Sequence, residues 1–493
     1  MSVARAVGRQ LARLVAGAVF ARMLDVGLYL LLARALGVEA FGRYTFALSF
    51  TLLFNALGDL GISTVFTREV AREPERAREL LVPCLAVKLA LAAVTVPAVF
   101  VAARLGPAGP DSLALVLPIV AGMLLNSTAM LFDGLLRAAG RAGRSGLNLT
   151  VQSIAALVAG CALLGAGVGA LAGAYAYLAG GILRLLSAAW WSRDQWGARP
   201  PAGAPHSLRD ARALLREAAP LALSSIFIAL YFRIDAVILR SLQGERSVGL
   251  YAGIYRMFET FAVLAASFRS VLFPVMSRAA DDPGRSLGVL CRKSLRVHLL
   301  FTIGVAVFFT CEAPVIVRVV LGAAYAAAAP GLAILMWALP GAYMADTLLF
   351  LLAAQRRQSL TTRAVGATAM FNVILNLALV PRFSFLGSSA ATVASEWLSF
   401  ALMFAMFRRA APVPGMAAVA WRPGIAGAAL GLGLVAIAPW THGWPGLAGA
   451  AAASAIAYPL LLLLCGAIGR EDLELVRSLV PGRPLRPADE PGR

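Results

Sequence analysis

The chain has 493 residues, of which 60% are hydrophobic and 14% are charged, and its mean hydropathy is +0.79. Because soluble globular proteins usually have about 25% charged residues, this composition excludes a water-soluble fold and indicates a protein that crosses a membrane several times. The formal net charge of +19 comes from short basic clusters between long apolar runs, a pattern that favours anionic membrane lipids as partners and no nucleic acid.

Fourteen apolar segments follow one another along the chain, and each approaches the length of about 20 residues that a helix needs to cross a bilayer. The predicted spans are 11–32, 44–66, 80–103, 113–136, 147–164, 170–191, 218–239, 250–276, 295–317, 326–353, 364–380, 386–407, 423–439 and 445–468. We therefore predict an all-α polytopic membrane protein with about 14 transmembrane helices, arranged as two pseudo-symmetric six-helix lobes and two C-terminal helices.

The longest polar connection separates the first six spans from the next six. It is rich in Gly and Pro and ends in an amphipathic segment, which is typical of a linker. The predicted domains are an N-lobe at 1–191, a cytoplasmic interlobe linker at 192–217, a C-lobe at 218–407, spans 13 and 14 within 408–468, and a cytoplasmic polar tail at 469–493.

Lys and Arg are distributed unevenly over the connections. If the N-terminus is inside, 31 of the 44 basic residues lie in inside segments and only 7 in outside segments. Inside loops of membrane proteins carry such an excess, so both termini are predicted to be cytoplasmic. Arg22 and Asp25 interrupt the first apolar stretch, which favours a spanning helix over a cleaved signal peptide.

A short pattern occurs after both span 1 and span 7. The first copy consists of Arg34, Leu36, Gly37, Gly42 and Tyr44, and the second of Arg240, Leu242, Gly244, Gly249 and Tyr251. A repeat of six helices is common in transporters, whose substrates bind at the interface between the repeats.

Residue types that support catalysis are sparse. The three histidines are scattered and the five cysteines form no CxxC pair, so the sequence predicts neither a metal site nor a disulfide framework. No Gly-rich phosphate loop ending in Lys-Ser/Thr is present either. We predict that the protein is not an enzyme and needs no cofactor, while coupling to H⁺ or Na⁺ stays open.

Charged side chains inside the predicted spans are costly in a bilayer and therefore indicate function or pairing. The interior set is Arg22, Asp25, Asp59, Lys88, Asp133, Arg233, Asp235, Arg256, Glu259, Arg269, Glu312, Asp346 and Glu396. Arg184, near the end of span 6, is expected to snorkel to the interface. Arg22 with Asp25, and Arg256 with Glu259, are three residues apart and can neutralise each other on one helical face.

Four interior arginines lie on spans 1, 7 and 8, and we predict that Arg22, Arg233, Arg256 and Arg269 line a shared cationic cavity. Guanidinium groups bind phosphate oxygens in a bidentate manner, which suits a diphosphate headgroup. The alternative is a salt-bridge gate between the lobes, with Asp59 or Asp235 as the acidic partner. Candidate coupling or gating residues are Asp25, Asp59, Asp235 and Glu259.

Polar residues recur every four positions on two spans. They are Asn55, Asp59 and Ser63 on span 2, and Thr368, Asn372 and Asn376 on span 11. These stripes predict either polar walls of a hydrated cavity, to which Asn55, Asn372 and Asn376 contribute, or hydrogen bonds between packed helices.

Several segments together resemble the polysaccharide and O-antigen flippases of the MATE-like MOP exporter superfamily. They are Leu32–Tyr44, Gly58–Ser63, Arg68–Glu69, Arg233–Leu239, Gly249–Ala252, Leu272–Ser277 and Leu379–Gly387. Each motif is loose by itself, but their order covers nearly the whole chain.

This resemblance implies a flippase that moves undecaprenyl-diphosphate-linked oligosaccharide across the bacterial inner membrane by alternating access. A polysaccharide polymerase or export complex is a further expected partner. A lipid II flippase ranks second, because the densely basic first lobe of that group is missing here. A MATE-type drug/cation antiporter of the same superfamily is another alternative, although twelve spans and a carboxylate-biased cavity are typical of that class.

Overall fold

The computed structural model describes residues 2–106, 110–196, 208–280, 285–355, 357–409, 411–413, 415 and 417–468. All regular structure in these ranges is helical. The α-helices are α1 Ser2–Leu53, α2 Asn55–Asp59, α3 Ile62–Arg72, α4 Ala77–Leu105, α5 Pro110–Ala138, α6 Ala142–Gly165, α7 Leu171–Trp191, α8 Arg193–Trp196, α9 Leu208–Ala280, α10 Arg285–Cys311, α11 Ala313–Val320, α12 Ala329–Leu335, α13 Ala338–Ala354, α14 Gln358–Arg408, α15 Ala417–Ile437 and α16 Gly443–Leu464. The 3₁₀ helices are Pro74–Arg76, Ala323–Ala328 and Ala438–Trp440.

Within the part of the chain that the structure describes, nine helices are long and apolar enough to cross a membrane. A tenth span is formed if Ala323–Leu335 and Ala338–Ala354, which meet at 46°, are taken together. Three long helices, α1, α9 and α14, each carry parts of two predicted spans, and each of the fourteen predicted spans overlaps at least one helix. The prediction of an all-α multi-pass membrane protein is confirmed.

Breaks inside the long helices fall between predicted spans. Gly37 in α1 has φ 73° and ψ 176°, and Gly244 in α9 has φ 82° and ψ −175°. Only glycine adopts this backbone conformation readily, because a Cβ would clash. The two copies of the sequence repeat therefore have the same backbone conformation at this glycine.

Span 2 is not one continuous helix, although the four-residue polar stripe predicted one. Leu60 (φ 44°) and Gly61 (φ 78°) are both left-handed and separate α2 from α3. The break follows Asp59 directly, so Asp59 is the last residue of α2.

The chain divides into two compact units. The first consists of Met1–Met257, Val320–Gly331 and Val365–Ala391, and the second of Phe258–Val319, Leu332–Ala364 and Thr392–Arg493. Small residues bring helices of the first unit close together: a Cβ on Gly17 of α1 would lie 2.7 Å from the carbonyl carbon of Gly146 in α6. Such contacts are typical of helices packed in a membrane. The lobe boundaries expected from the sequence stay a prediction.

Candidate functional site

The two repeat copies contact each other within the first unit. A Cβ on Gly42 would lie 2.0 Å from the carbonyl oxygen of Glu245, and a Cβ on Gly249 would lie 2.0 Å from that of Val38. These distances are far shorter than any van der Waals contact, so both positions require glycine. The small residues of the repeat therefore permit close packing of backbone on backbone.

An ion-pair network lies beside this contact. Arg43 donates from Nε to Oε2 of Glu245 at 3.1 Å, and Arg240 donates from Nη2 to Oε1 of the same carboxylate at 2.8 Å. All three side chains are only partly exposed. We call Gly42, Arg43, Arg240, Glu245 and Gly249 the repeat junction. In the topology predicted from the sequence, it lies on the outside of the membrane.

A charged cluster occupies span 1 and its surroundings. The Asp25 carboxylate accepts a hydrogen bond from Ser153 and lies within electrostatic range of Arg22 and Arg256. The Arg256 guanidinium stacks over the Tyr29 ring, 4.8 Å from its centroid, a cation–π contact that orients the arginine. The Tyr44 hydroxyl lies within electrostatic range of Arg256, Asp25 and Arg233, so Arg233 belongs to the same group of charges. We call Arg22, Arg233 and Arg256 the cation cluster.

The cation cluster thus brings three of the four predicted cavity arginines into one region of the first unit. Each of the three is half-buried. The fourth, Arg269, lies outside the residues whose side chains the structure describes. The sequence did not indicate Ser153, whose hydroxyl holds Asp25, because nothing in its own segment marks it as different from other helix serines.

Asp59 has a lysine as its partner, and not one of the arginines expected for a gate. The Lys88 ammonium forms a salt bridge with Asp59 and donates to the Ser127 carbonyl oxygen at 2.8 Å and to the Ser127 hydroxyl at 2.5 Å. Ser63 also donates to Asp59 at 2.5 Å. Lys88 is 4% exposed, so this is a buried ion pair with several supporting hydrogen bonds.

Replacing Lys88 with methionine should destabilise the protein by roughly 3 to 5 kcal/mol, because it leaves the Asp59 carboxylate buried without its cation. The double variant Lys88→Met with Asp59→Asn should recover most of this loss, since neither charge then remains. Thermal unfolding of the detergent-solubilised protein measures both. A double variant no more stable than Lys88→Met alone would refute the coupling.

Asp235 lies in a separate hydrogen-bond network. It is 4% exposed and accepts hydrogen bonds from the Tyr251 hydroxyl at 2.7 Å and from Asn376 Nδ2 at 3.0 Å. Asn376 also contacts the Asn372 side chain at 3.2 Å and accepts from Ser388 at 2.7 Å. The hydrogen bond from Asn376 on α14 to Asp235 on α9 therefore supports hydrogen bonding between helices, which was one of the two interpretations of this stripe.

Arg184 is part of a buried network and does not snorkel as expected. Its Nη2 lies 3.0 Å from Asp133 Oδ2, and its Nη1 donates to Asn126 at 3.3 Å and to Gln152 at 3.2 Å. Asn148 donates to the other Asp133 oxygen at 3.0 Å. The Asp133 carboxylate and the side-chain amides of Asn126 and Gln152 thus hold the guanidinium inside the helix bundle. Their hydrogen bonds compensate the desolvation of its charge.

Two remaining candidates have no described role in these clusters. Asn55 begins α2 and is exposed, and Glu259 is half-buried on α9. Lining of a hydrated cavity by Asn55, Asn372 and Asn376 stays a prediction.

An apolar groove of about 640 Å³ lies in the second unit, on α10, α15 and α16. Aromatic and aliphatic side chains line it, among them Phe301, Phe308, Phe309, Leu430, Tyr458 and Leu462. Gly304 makes room for Tyr458, since a Cβ there would lie 2.5 Å from the tyrosine ring. Nearly all of the side chains that line the groove are apolar.

The all-helical, multi-pass fold is similar to that of solved MOP-superfamily transporters. A lipid II flippase, MurJ, in an inward closed conformation has TM-score 0.75 and 15% identity, over 93% of this chain and 99% of that chain. An inward-facing multidrug resistance MATE transporter has TM-score 0.62 and 17% identity, over 81% and 95%. A MOP transporter from Pyrococcus furiosus, whose binding pocket is described as having reverse polarity, has TM-score 0.60 and 16% identity, over 84% and 96%.

The polysaccharide biosynthesis protein family model matches residues 7–280. The chain belongs to this family, and the resemblance found in its motifs is confirmed. No curated protein sequence matches the chain.

Proposed function

We propose that the protein is a flippase that moves undecaprenyl-diphosphate-linked oligosaccharide, an O-antigen or exopolysaccharide repeat unit, from the cytoplasmic to the periplasmic leaflet of the bacterial inner membrane. The observation that carries this proposal is the cation cluster. Three guanidinium groups inside predicted membrane spans are costly, and a diphosphate is a ligand that compensates this cost.

The Asp25 carboxylate acts as the counter-ion of the cation cluster when substrate is absent. A diphosphate carries more negative charge and more acceptor oxygens than one carboxylate, so it can take over Arg22 and Arg256. The sugar then crosses through polar surroundings. The prenyl chain stays in the lipid.

The repeat junction acts as the periplasmic gate in this mechanism. Its backbone contact at Gly42 and Gly249, and the bridging carboxylate of Glu245, stabilise a state closed on the outside. Alternating access requires that this contact separate when the headgroup is delivered. A partly exposed ion-pair network suits such a role, because water replaces its partners at small cost.

Two relatives suggest other substrates. The likeness to a lipid II flippase supports a lipid-linked diphosphate in general, and lipid II is the second candidate. The MATE antiporters suggest drug or cation export, but the cation cluster repels cations, which favours an anionic headgroup.

Translocation by reconstituted protein tests the proposal. Proteoliposomes should flip a fluorescent undecaprenyl-diphosphate oligosaccharide faster than protein-free vesicles, as measured by loss of signal to a membrane-impermeant quencher or modifying enzyme. Lipid II and a cationic dye serve as competing substrates in parallel assays. Faster transport of the cationic dye than of either lipid would refute the flippase.

The topology follows from the excess of basic residues in the inside segments and forms part of the proposal. Reporter fusions after Arg141, Arg212, Arg285 and the C-terminal tail should report a cytoplasmic location, whereas fusions near Gly109 and Glu245 should report periplasm. A periplasmic C-terminus would refute the fourteen-span arrangement and indicate an odd number of spans.

We propose that the buried carboxylates couple flipping to the movement of H⁺ or Na⁺. We expect Asp235→Asn to keep both contacts, with its Oδ1 accepting from Asn376 Nδ2 and its Nδ2 donating to the Tyr251 hydroxyl. Stability and substrate binding should then stay at the wild-type level, whereas ion-driven flipping should be lost because a neutral amide does not exchange a proton. Melting temperature, binding of a diphosphate-lipid analogue and flipping are measured on one preparation. A large drop in melting temperature would instead assign Asp235 a purely structural role.

A further inference from the structure

A polar cavity lies where the start of α6 meets the end of α7 and the short helix α8. It has a volume of about 360 Å³. The lining residues are Arg141, Arg144, Trp190, Trp191, Arg193 and Asp194. Three guanidinium groups, one carboxylate and two indoles thus surround one small space, and we call it the Arg–Trp pocket.

The pocket has a defined geometry. Arg193 stacks on the Trp190 ring, 3.9 Å from its centroid, and Arg144 donates from Nη1 to the Trp191 carbonyl oxygen at 3.5 Å. Arg141 forms a salt bridge with Asp194. A stacked guanidinium loses little conformational freedom on binding, because the ring already fixes its plane.

The charges of the pocket favour an anion. The hydrogen bond from Arg141 holds the pKa of Asp194 below its usual value, so the carboxylate stays ionised and compensates one guanidinium. The two other arginines leave the pocket with a net positive charge of about two. Each guanidinium has five N–H donors in a planar fork, which fits the oxygens of a phosphate group.

The position of the pocket indicates where that phosphate comes from. In the predicted topology, Arg141, Arg144 and Arg193 lie in cytoplasmic segments directly at the ends of spans. Trp190 is 64% exposed, and tryptophan is enriched at the level of the lipid headgroups. Basic pockets between transmembrane helices on the cytoplasmic side bind anionic headgroups.

We propose that the Arg–Trp pocket binds the phosphate group of an anionic phospholipid from the cytoplasmic leaflet, such as phosphatidylglycerol. This site shares no residue with the cation cluster. It rests on the topology given under the proposed function but not on the proposed substrate or on flipping. The bound lipid joins the start of α6 to the start of α8 through Arg144 and Arg193.

Native mass spectrometry of the full-length protein tests this assignment. The purified protein is exchanged into mixed micelles with phosphatidylglycerol or phosphatidylcholine, and the retained lipids are counted. The wild type should retain phosphatidylglycerol about ten-fold more strongly than phosphatidylcholine, and Arg144→Ala with Arg193→Ala should lose this preference. Both arginines are exposed, so their replacement should leave the melting temperature close to that of the wild type.

The matched control removes the same charge elsewhere. Arg246 and Arg318 are exposed and lie in predicted outside segments, so Arg246→Ala with Arg318→Ala should leave the preference unchanged. Arg144→Lys with Arg193→Lys should bind with intermediate strength, because charge remains without the fork. Equal loss in the control and pocket variants, or no preference in the wild type, would overturn the proposal.

A separate arm distinguishes the lipid from free phosphate. Inorganic phosphate at millimolar concentration should not raise the melting temperature as much as phosphatidylglycerol micelles do, because the lipid also contacts Trp190. Equal stabilisation by both would assign the pocket to a soluble phosphate compound and overturn the lipid assignment.

Discussion

Simultaneous replacement of Arg233 and Arg256 with alanine is expected to lower translocation of the lipid-linked oligosaccharide by at least about 100-fold. Hydrogen bonds to charged groups contribute roughly 1.5 to 3 kcal/mol each, and about 3 kcal/mol corresponds to a factor of 100. The double variant removes two guanidinium groups from the cation cluster, and with them several phosphate hydrogen bonds. The measurement is the flipping rate in proteoliposomes at equal protein density.

Two further variants make this result specific. Arg233→Lys with Arg256→Lys should restore only part of the rate, since an ammonium group cannot bind in a bidentate manner. Arg246→Ala, which removes an exposed charge, should flip at the wild-type rate. If the double alanine variant flips normally, the arginines are structural and the cavity hypothesis fails.

The second large effect is expected at the repeat junction. Gly42→Val should reduce flipping by at least about ten-fold without loss of membrane protein, because its Cβ would lie 2.0 Å from the Glu245 carbonyl oxygen. The backbone must then separate, so the state closed on the outside cannot form. Gly27→Val on the same helix is the control, since no atom lies within 4 Å of a Cβ there.

Cysteine cross-linking distinguishes a gate defect from misfolding. The pair Arg43→Cys and Glu245→Cys should form a disulfide when Gly42 is present, and this disulfide should disappear when Gly42→Val is added. Flipping that is unaffected by Gly42→Val would show that the repeat junction need not close, and the gate would have to be sought elsewhere.

Some properties of the protein follow from short stretches of sequence. About 20 apolar residues are required to cross a bilayer. This requirement does not depend on the rest of the chain, so the spans can be predicted from local sequence. The backbone breaks at Gly37 and Gly244 also depend on local sequence. Each break has a positive φ, which glycine adopts more readily than any other residue.

The partners of the buried charges could not be predicted from local sequence. Asp59 pairs with Lys88, 29 residues away, and Asp235 with Asn376, 141 residues away. The sequence placed both carboxylates inside predicted spans but did not indicate Lys88 or Asn376 as their partners.

The physical reason is that hydrophobicity depends on each residue and its near neighbours, whereas the energy of a buried charge depends on every group packed around it. The same rule explains Arg184, whose place near a span end predicted an interfacial position, while Asp133 and Asn126 on α5 hold it in the interior. The sequence alone therefore determined that the chain crosses the membrane and where it repeats. The packing of α4 beside α2 decided that Lys88 neutralises Asp59, and the packing of α14 beside α9 decided that Asn376 donates a hydrogen bond to Asp235.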